Sequence, residues 1–207
     1  VSVVSNLLPK QPSKSQRVQH HPALPWRQLP AFYANHLAET QSTTKALLLF
    51  VILTAARSGE ARQAEWKEVD LRAKVWTVPA TRMKTGRLHR VPLSDNVVGL
   101  LDKQKKQSNG LLIFPAPRGG VLTDMALTSF LRQKQAPSDV ADRVATAHGF
   151  RSSFRDWASE SGYARDLAER ALAHTIKNQS EAAYHRTDLL EQRREMMEAW
   201  AKFVFGQ

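Results

Sequence analysis

The densest apolar stretch of the chain is Ala46-Leu-Leu-Leu-Phe-Val-Ile-Leu53, inside a segment from about Thr43 to Ala56 that is apolar almost all round. A helix without a polar face must be enclosed by its own protein, so this segment predicts the central core helix. It is far shorter than the roughly 20 residues that a bilayer requires, and no membrane span is expected. A helix from about Leu29 to Thr40 precedes it, and Ser58-Gly59-Glu60 breaks it and starts a short helix through Trp66. Residues 74–79 and 87–93 instead alternate apolar and polar, with Thr81-Arg-Met-Lys-Thr-Gly86 between them. That pattern predicts a β-hairpin with a basic tip. A helix from Ser94 to Gln107, a short strand from Leu111 to Phe114 and a loop from Pro115 to Gly120 follow. Thr123 or Asp124 caps a further helix to about Gln133. From Asp142 onward nearly everything reads as helical, in segments broken near Gly149, Gly162 and residues 174–178. The final segment, Leu189 to Phe205, is amphipathic, with Leu190, Met197, Trp200 and Val204 on one face, spaced for packing on the protein's own core. The expected class is α+β, mostly α, with one small antiparallel sheet.

Residues 1–25 are rich in Pro, Ser, Gln and Lys and show no periodicity. They read as a linker or extended arm, with ordered sequence beginning near Pro25-Trp26 and one domain spanning residues 26–207. The chain carries neither a signal peptide nor an initiator Met, so the expectation is a fragment or a processed chain.

Charge sharpens this picture. Thirty Lys and Arg against nineteen Asp and Glu leave a net charge of +11. Such an excess points to a polyanion, nucleic acid above all, although a solubilising surface is the plain alternative. With no cysteine, disulfides and thiolate metal sites are excluded, and the seven histidines form no cluster with metal-ligand spacing.

Six residues stand out in chain order: Arg57, Lys84, His148, Arg151, His174 and Tyr184. They comprise one nucleophile and five groups suited to a phosphate. Arg57 follows directly on the most apolar helix, where a charge needs a partner or a ligand. Glu60, three residues on, supplies a structural ion pair, and an Arg so fixed is also preorganised for a phosphate. Lys84 is expected at the hairpin tip beside Arg82 and Arg87; these three read either as contacts to a nucleic-acid backbone or as a general acid delivered by a loop. His148 and Arg151, three apart, would share a helix face beside the apolar stripe of Phe150, Phe154, Trp157 and Ala158. Arg binds phosphate well because its planar fork donates two parallel hydrogen bonds. Tyr184 has polar, basic flanks, and a phenol with an ordinary pKa near 10 needs cationic neighbours or a base to attack.

Together the stretches Leu53-Thr-Ala-Ala-Arg57-Ser-Gly-Glu60, Trp66-Lys-Glu-Val-Asp-Leu71, Met83-Lys84-Thr-Gly86 with Val91-Pro-Leu-Ser94, Ala147-His148-Gly-Phe-Arg151, Leu172-Ala-His174 and Ala183-Tyr184 resemble the catalytic domain of the tyrosine recombinases, the phage-integrase family. His-His-Pro-Ala-Leu-Pro-Trp26 and Ala-Tyr-His-Arg-Thr-Asp188 resemble integrases of prophages and genomic islands. The resemblance implies a site-specific DNA recombinase that cleaves and rejoins strands through a 3′-phosphotyrosyl intermediate, with no metal and no cofactor. It casts Arg57 and Arg151 as the phosphate clamp, Lys84 as donor to the leaving 5′-oxygen, and His148 as support for proton transfer. It casts His174 as donor to a non-bridging oxygen, Tyr184 as nucleophile and Glu60 as the acid that holds the site together. Arg82, Arg87 and Arg155 are expected on the DNA. Leu172-Ala-His174 departs from the more usual Leu-Gly-His, and ten residues separate His174 from Tyr184, slightly more than in many relatives.

The implied partner is double-stranded DNA at attachment sites, bound as a tetramer whose C-terminal segments dock on neighbouring protomers, with a possible DNA-bending accessory protein. An isolated domain would be a monomer, in a bacterial cytoplasm near the nucleoid. A core-binding domain, which the family places N-terminal to this one, is absent from residues 1–207. Two rivals stand beside this reading: a type IB topoisomerase, and a non-catalytic DNA-binding remnant of an integrase.

Overall fold

The computed structural model describes residues 20–39, 42–108, 110–174 and 187–207. Its helices are α1 (Leu29–His36), α2 (Thr43–Thr54), α3 (Ser58–Arg62), α4 (Asp95–Gln107), α5 (Asp124–Gln133), α6 (Phe150–Glu160), α7 (Arg165–Ala171) and α8 (Leu190–Val204). The strands are β1 (Val69–Asp70), β2 (Val75–Val78) and β3 (His89–Pro92). The protein is thus mostly helical with one small sheet. Among the described residues, no helix is long and apolar enough to cross a membrane.

The all-apolar segment forms α2, buried at every position from Ala46 to Thr54. The Ser42 hydroxyl caps its start by accepting from the Lys45 backbone N–H at 3.3 Å. α3, α4, α5, α6 and α8 surround it. The helix ends where Ala55 turns left-handed, at φ 50°. The chain then swings out at Arg57, which is extended, before α3 begins. The most buried helix therefore delivers its last carbonyls, and the first functional Arg, to one end of the core.

The sheet is antiparallel in the order β1-β2-β3, with Trp76 opposite Val91 and Val78 opposite His89. Trp76, Val78 and Val91 face inward, and Phe50 of α2 stacks between Trp76 and Phe114, with ring centroids 5.0 and 5.2 Å away. β1, only two residues long, was not foreseen. The predicted strand from Leu111 to Phe114 is instead a segment held by a single bridge, Glu65 to Leu112, and a second, Pro115 to Val121, closes the loop after it. Between β2 and β3 the chain makes a 3-10 turn over Ala80–Arg82 and buries Met83 before the exposed tip. Gly86 there has φ +64°, a left-handed conformation that glycine adopts without steric cost.

Two further expectations are corrected. Residues 142–149 are turns and extended chain, so α6 starts only at Phe150. The arm does not run loose up to residue 25, because Pro22, Ala23 and Leu24 are buried. Ala23 N–H donates to the Asp139 carboxylate at 2.8 Å, and Asp139 N–H donates back to the Ala23 carbonyl at 2.9 Å. Pro22 O accepts from the Thr146 N–H at 2.9 Å and its hydroxyl at 3.2 Å, and Leu24 O accepts from the Ser153 hydroxyl. This strap lies across the turn that leads into α6. α8 packs on β3 and on α1, α2, α4, α6 and α7 of its own chain, and Trp200 donates to the Ile52 carbonyl at 2.8 Å.

The strap leaves no room at Gly149, where a Cβ would lie 2.0 Å from the Pro22 carbonyl oxygen. Gly149→Ala should therefore cost about 2–3 kcal/mol of folding stability, because backbone rather than a flexible side chain must move. Denaturant unfolding measures this, and an unchanged midpoint would contradict the close approach.

Candidate active site

Arg57 is fixed by Glu60. Its Nη1 donates to one carboxylate oxygen at 2.8 Å, and its backbone N–H donates to the other at 3.1 Å. Glu60 is only 5% exposed, whereas the Arg57 side chain keeps 22%. The carboxylate thus sits behind and the guanidinium in front. Both readings of the pair hold at once: it is structural, and it orients the cation.

Arg151, on the first turn of α6, is 4% exposed. Nη1 donates to Ala55 O at 2.6 Å, and Nη2 donates to Leu172 O at 2.7 Å. These carbonyls end α2 and α7, so the cation bridges the negative ends of two helix dipoles. Burial, followed by the charge of Arg57, brings its pKa down to about 10, which leaves it protonated at neutral pH. Its Nε–H is buried without a hydrogen-bond partner among the described residues.

Nη2 of Arg151 also meets His174 Nε2 at 3.1 Å, while His174 Nδ1 lies 2.6 Å from Glu169. A guanidinium can only donate, so Nε2 accepts and the proton sits on Nδ1, donating to the carboxylate. This is the neutral tautomer, in keeping with an imidazole pKa lowered by burial despite the Glu169 contact. Burial raises the Glu169 carboxyl, but its bonds to His174 and Arg155 outweigh that, and the net direction is down. Arg155 Nε reaches Glu169 at 2.8 Å. The structure therefore makes Arg155 a brace for the carboxylate that orients His174. Ala173 stands at φ 49°, where the family's usual glycine would be unstrained.

His148 is not on a helix. It lies in the turn before α6, and its carbonyl accepts from Arg151 N–H at 3.1 Å. The three-residue spacing brings the two together through a turn instead of a helix face. Burial, then Arg151, His21, Arg57 and His174 push the imidazole down to about 4, although part of the ring stays open to solvent. Its ring meets that of His21, with centroids 4.5 Å apart.

The hairpin tip presents Lys84 and Arg87, both exposed. Arg82, expected beside them, is turned inward: it pairs with Glu68, donates to the Gln63 carbonyl and is 14% exposed. It braces the root of the hairpin, and its placement at the tip is corrected. Tyr184 lies outside the described residues. Four residues beyond it, Asp188 takes a two-pronged contact from Arg90, at 2.9 and 2.8 Å. The buried Arg193 bonds the Asp188 carbonyl at 2.8 Å and the Arg90 carbonyl at 2.7 Å.

Sequence reasoning missed Glu169, His21 and Asp188 as supports. Glu169 reads as a solvated residue of an amphipathic helix, and only its place five residues before His174 could have singled it out. His21 was quoted within a motif without a role.

Two outcomes follow. Ala173→Gly should raise folding stability by about 1 kcal/mol, because the left-handed conformation loses its Cβ clash; a loss of stability would contradict the strain. His89, hydrogen-bonded to the Ala171 backbone, is pushed down to about 4 by burial and then by Arg193. A histidine whose folded pKa lies below its unfolded value binds protons preferentially in the unfolded chain. Its stabilising contribution is complete above about pH 6.5 and is lost as pH falls towards 4. Denaturant midpoints should fall across that window, with a smaller fall in His89→Gln; equal slopes in the two proteins would contradict this.

The phage integrase family profile matches residues 24–189. The chain is 37% identical over 179 residues to prophage integrase IntA of Escherichia coli, covering 86% of this chain and 43% of that protein. It is 34% identical over 206 residues to the integrase of Enterobacteria phage P4, covering 91% and 46%. The chain thus spans less than half the length of these curated relatives. In structure it is similar to the integrase from mycobacterium phage Brujita, with a TM-score of 0.63 and 20% identity over 97% of this chain and 67% of that one. It is also similar to the lambda integrase catalytic core, with a TM-score of 0.56 and 18% identity over 76% and 94%. With two clamped arginines and two histidines converging beside a basic hairpin, and a family match across most of its length, the chain belongs to the phage integrase family of tyrosine recombinases.

Proposed function

We propose that this chain carries the catalytic region of a site-specific recombinase that breaks and rejoins DNA through a 3′-phosphotyrosyl intermediate. The observation that carries the reading is the convergence of Arg57, Arg151, His148 and His174 from separate segments into one electrostatically coupled cluster. Arg57 and Arg151 would grip the scissile phosphate from its non-bridging oxygens. Tyr184 would attack phosphorus in line, passing its proton towards His148, which is neutral at physiological pH. The P–O bond to the 5′-carbon side breaks, and Lys84 protonates the departing oxygen, a step worth ~10²–10⁴-fold. Arg151 would meet the phosphate from the position in which Ala55 O and Leu172 O already hold it. His174 already gives its Nδ1 proton to Glu169, so its Nε2 would take up a proton from solvent as the phosphate's charge arrives, part from Arg151 and donate to a non-bridging oxygen, with Glu169 holding the ring from behind.

The two guanidiniums supply the charge that the trigonal-bipyramidal phosphorus demands, so the proposed step needs no metal. The phosphodiester energy stays in the tyrosyl bond, and a 5′-hydroxyl from another strand can reverse the step to complete an exchange. Double-stranded DNA at attachment sites is the proposed substrate, and integration or excision of a prophage or genomic island the outcome, within a tetramer and with a DNA-bending partner where the site requires one. Lys84 and Arg87 at the hairpin tip would lie on the DNA backbone, and Arg155 would reach it with the guanidinium donors not used on Glu169. Lambda integrase has been captured as a tetramer bound to a Holliday junction, a neighbour with a TM-score of 0.57 to this chain.

On a nicked duplex from the flanks of its gene, the protein should form an adduct that migrates slowly on a denaturing gel. Tyr184→Phe should abolish the adduct while retaining binding by mobility shift, and an adduct that survives the change would sink the assignment. Arg57→Ala should slow adduct formation by about 10² or more with little loss of binding, since its contact is strongest in the transition state. Arg151→Ala should also lower stability by ~3 kcal/mol or more, because two helix-end carbonyls lose their donor. Equal stability of the two Ala variants would contradict the buried bridge.

A further inference from the structure

The strap of residues 21–24 brings one more imidazole to the site from the far end of the chain. Pro22 O is locked by both donors of Thr146, and Thr146 in turn receives the Gly149 N–H on its carbonyl at 2.9 Å and on its hydroxyl at 3.0 Å. The turn that carries His148 is therefore tied to the strap through Thr146 and closed on itself by Gly149. Pro22 fixes the backbone next to His21, whose exposed ring lies against that of His148 at 4.5 Å between centroids and 56° between planes. Tilted contacts of this kind have a preferred geometry and restrict ring rotation. No hydrogen bond holds the His148 ring among the described residues, so His21 is the ring contact that can orient it.

We propose that His21 is a positioning residue for His148, fixing the plane of its ring across the mouth of the site and so the direction in which it receives the proton of the nucleophile. The proton-transfer part rests on the recombinase reading; the ring contact does not. The charged and titratable groups around His148 are Arg151 of α6, Arg57 ahead of α3, His174 after α7 and His21 of the strap. Three of these stay in every variant below, so a change in His148 reports the fourth.

The test combines two measurements on the whole chain: imidazole NMR titration of His148, assigned with His148→Gln, and single-turnover adduct formation on the nicked duplex. His21→Ala should move the His148 titration upward, because a neighbour that helps to lower it is removed. It should slow adduct formation by about 10-fold at pH 7 with DNA binding and thermal midpoint unchanged. His21→Phe, which keeps a ring but no charge, should restore most of the rate. A wild-type rate and an unmoved titration in His21→Ala would overturn the proposal. So would a slowed rate with an unmoved titration, which would make His21 a DNA contact instead. Absence of any wild-type adduct, with the titration still shifted in His21→Ala, would overturn the recombinase reading and leave the ring contact standing.

Discussion

A guanidinium buried at the junction of two helix ends is the constraint on which this structure turns. Taking a charge out of water costs several kcal/mol unless its donors are met. Arg151 meets that cost with Ala55 O and Leu172 O, the final carbonyls of α2 and α7. Such carbonyls lack partners within their own helices and carry partial negative charge. The cation and the two helix ends need one another. Because α2 runs through the middle of the core, the position of Arg151 is set by the packing of the whole protein rather than by a surface loop.

The other polar groups extend that arrangement outward. Two carboxylates, Glu60 and Glu169, lie behind the cluster, each holding one functional side chain by a short bond and leaving its opposite face forward. Burial, reinforced by Arg151 and Arg57, lowers the His148 and His174 imidazoles, so that both are neutral before the substrate arrives. Donors placed before the substrate arrives need no reorganisation at the moment of reaction, which is where preorganised electrostatic sites gain most of their effect. Asp188, gripped by Arg90 and Arg193, ties the chain just beyond Tyr184 to β3 and α8.

What could be read from the sequence was what depends on local pattern. The apolar run gave α2, the alternation gave β2 and β3, and Ser42, Ser94 and Thr123 stand at the N-termini of their helices. Arg57 and Glu60 were legible as a pair because the partner lies three residues away. Patterns that two structures share were not separable: a spacing of three fits both a helix face and a turn, so His148 was placed on the wrong element. Contacts between distant segments left no local trace. Pro22 to Leu24 look like linker in composition, yet their partners are Asp139, Thr146 and Ser153, more than a hundred positions away. Arg82 looked like a tip cation because Glu68 and Gln63, which turn it inward, lie across the fold rather than beside it. The Ala that replaces glycine before His174 was visible as a departure, and the structure adds the reason it matters, a left-handed backbone at that residue.

The most direct test of this account is to map the covalent adduct. The protein is reacted with a nicked duplex, the complex is digested with nuclease and protease, and the modified peptide is sequenced by mass spectrometry. The account predicts a single modified peptide bearing a nucleotide 3′-phosphate on the Tyr184 oxygen. A nucleotide on Tyr33, on Tyr163 or on a histidine would contradict it.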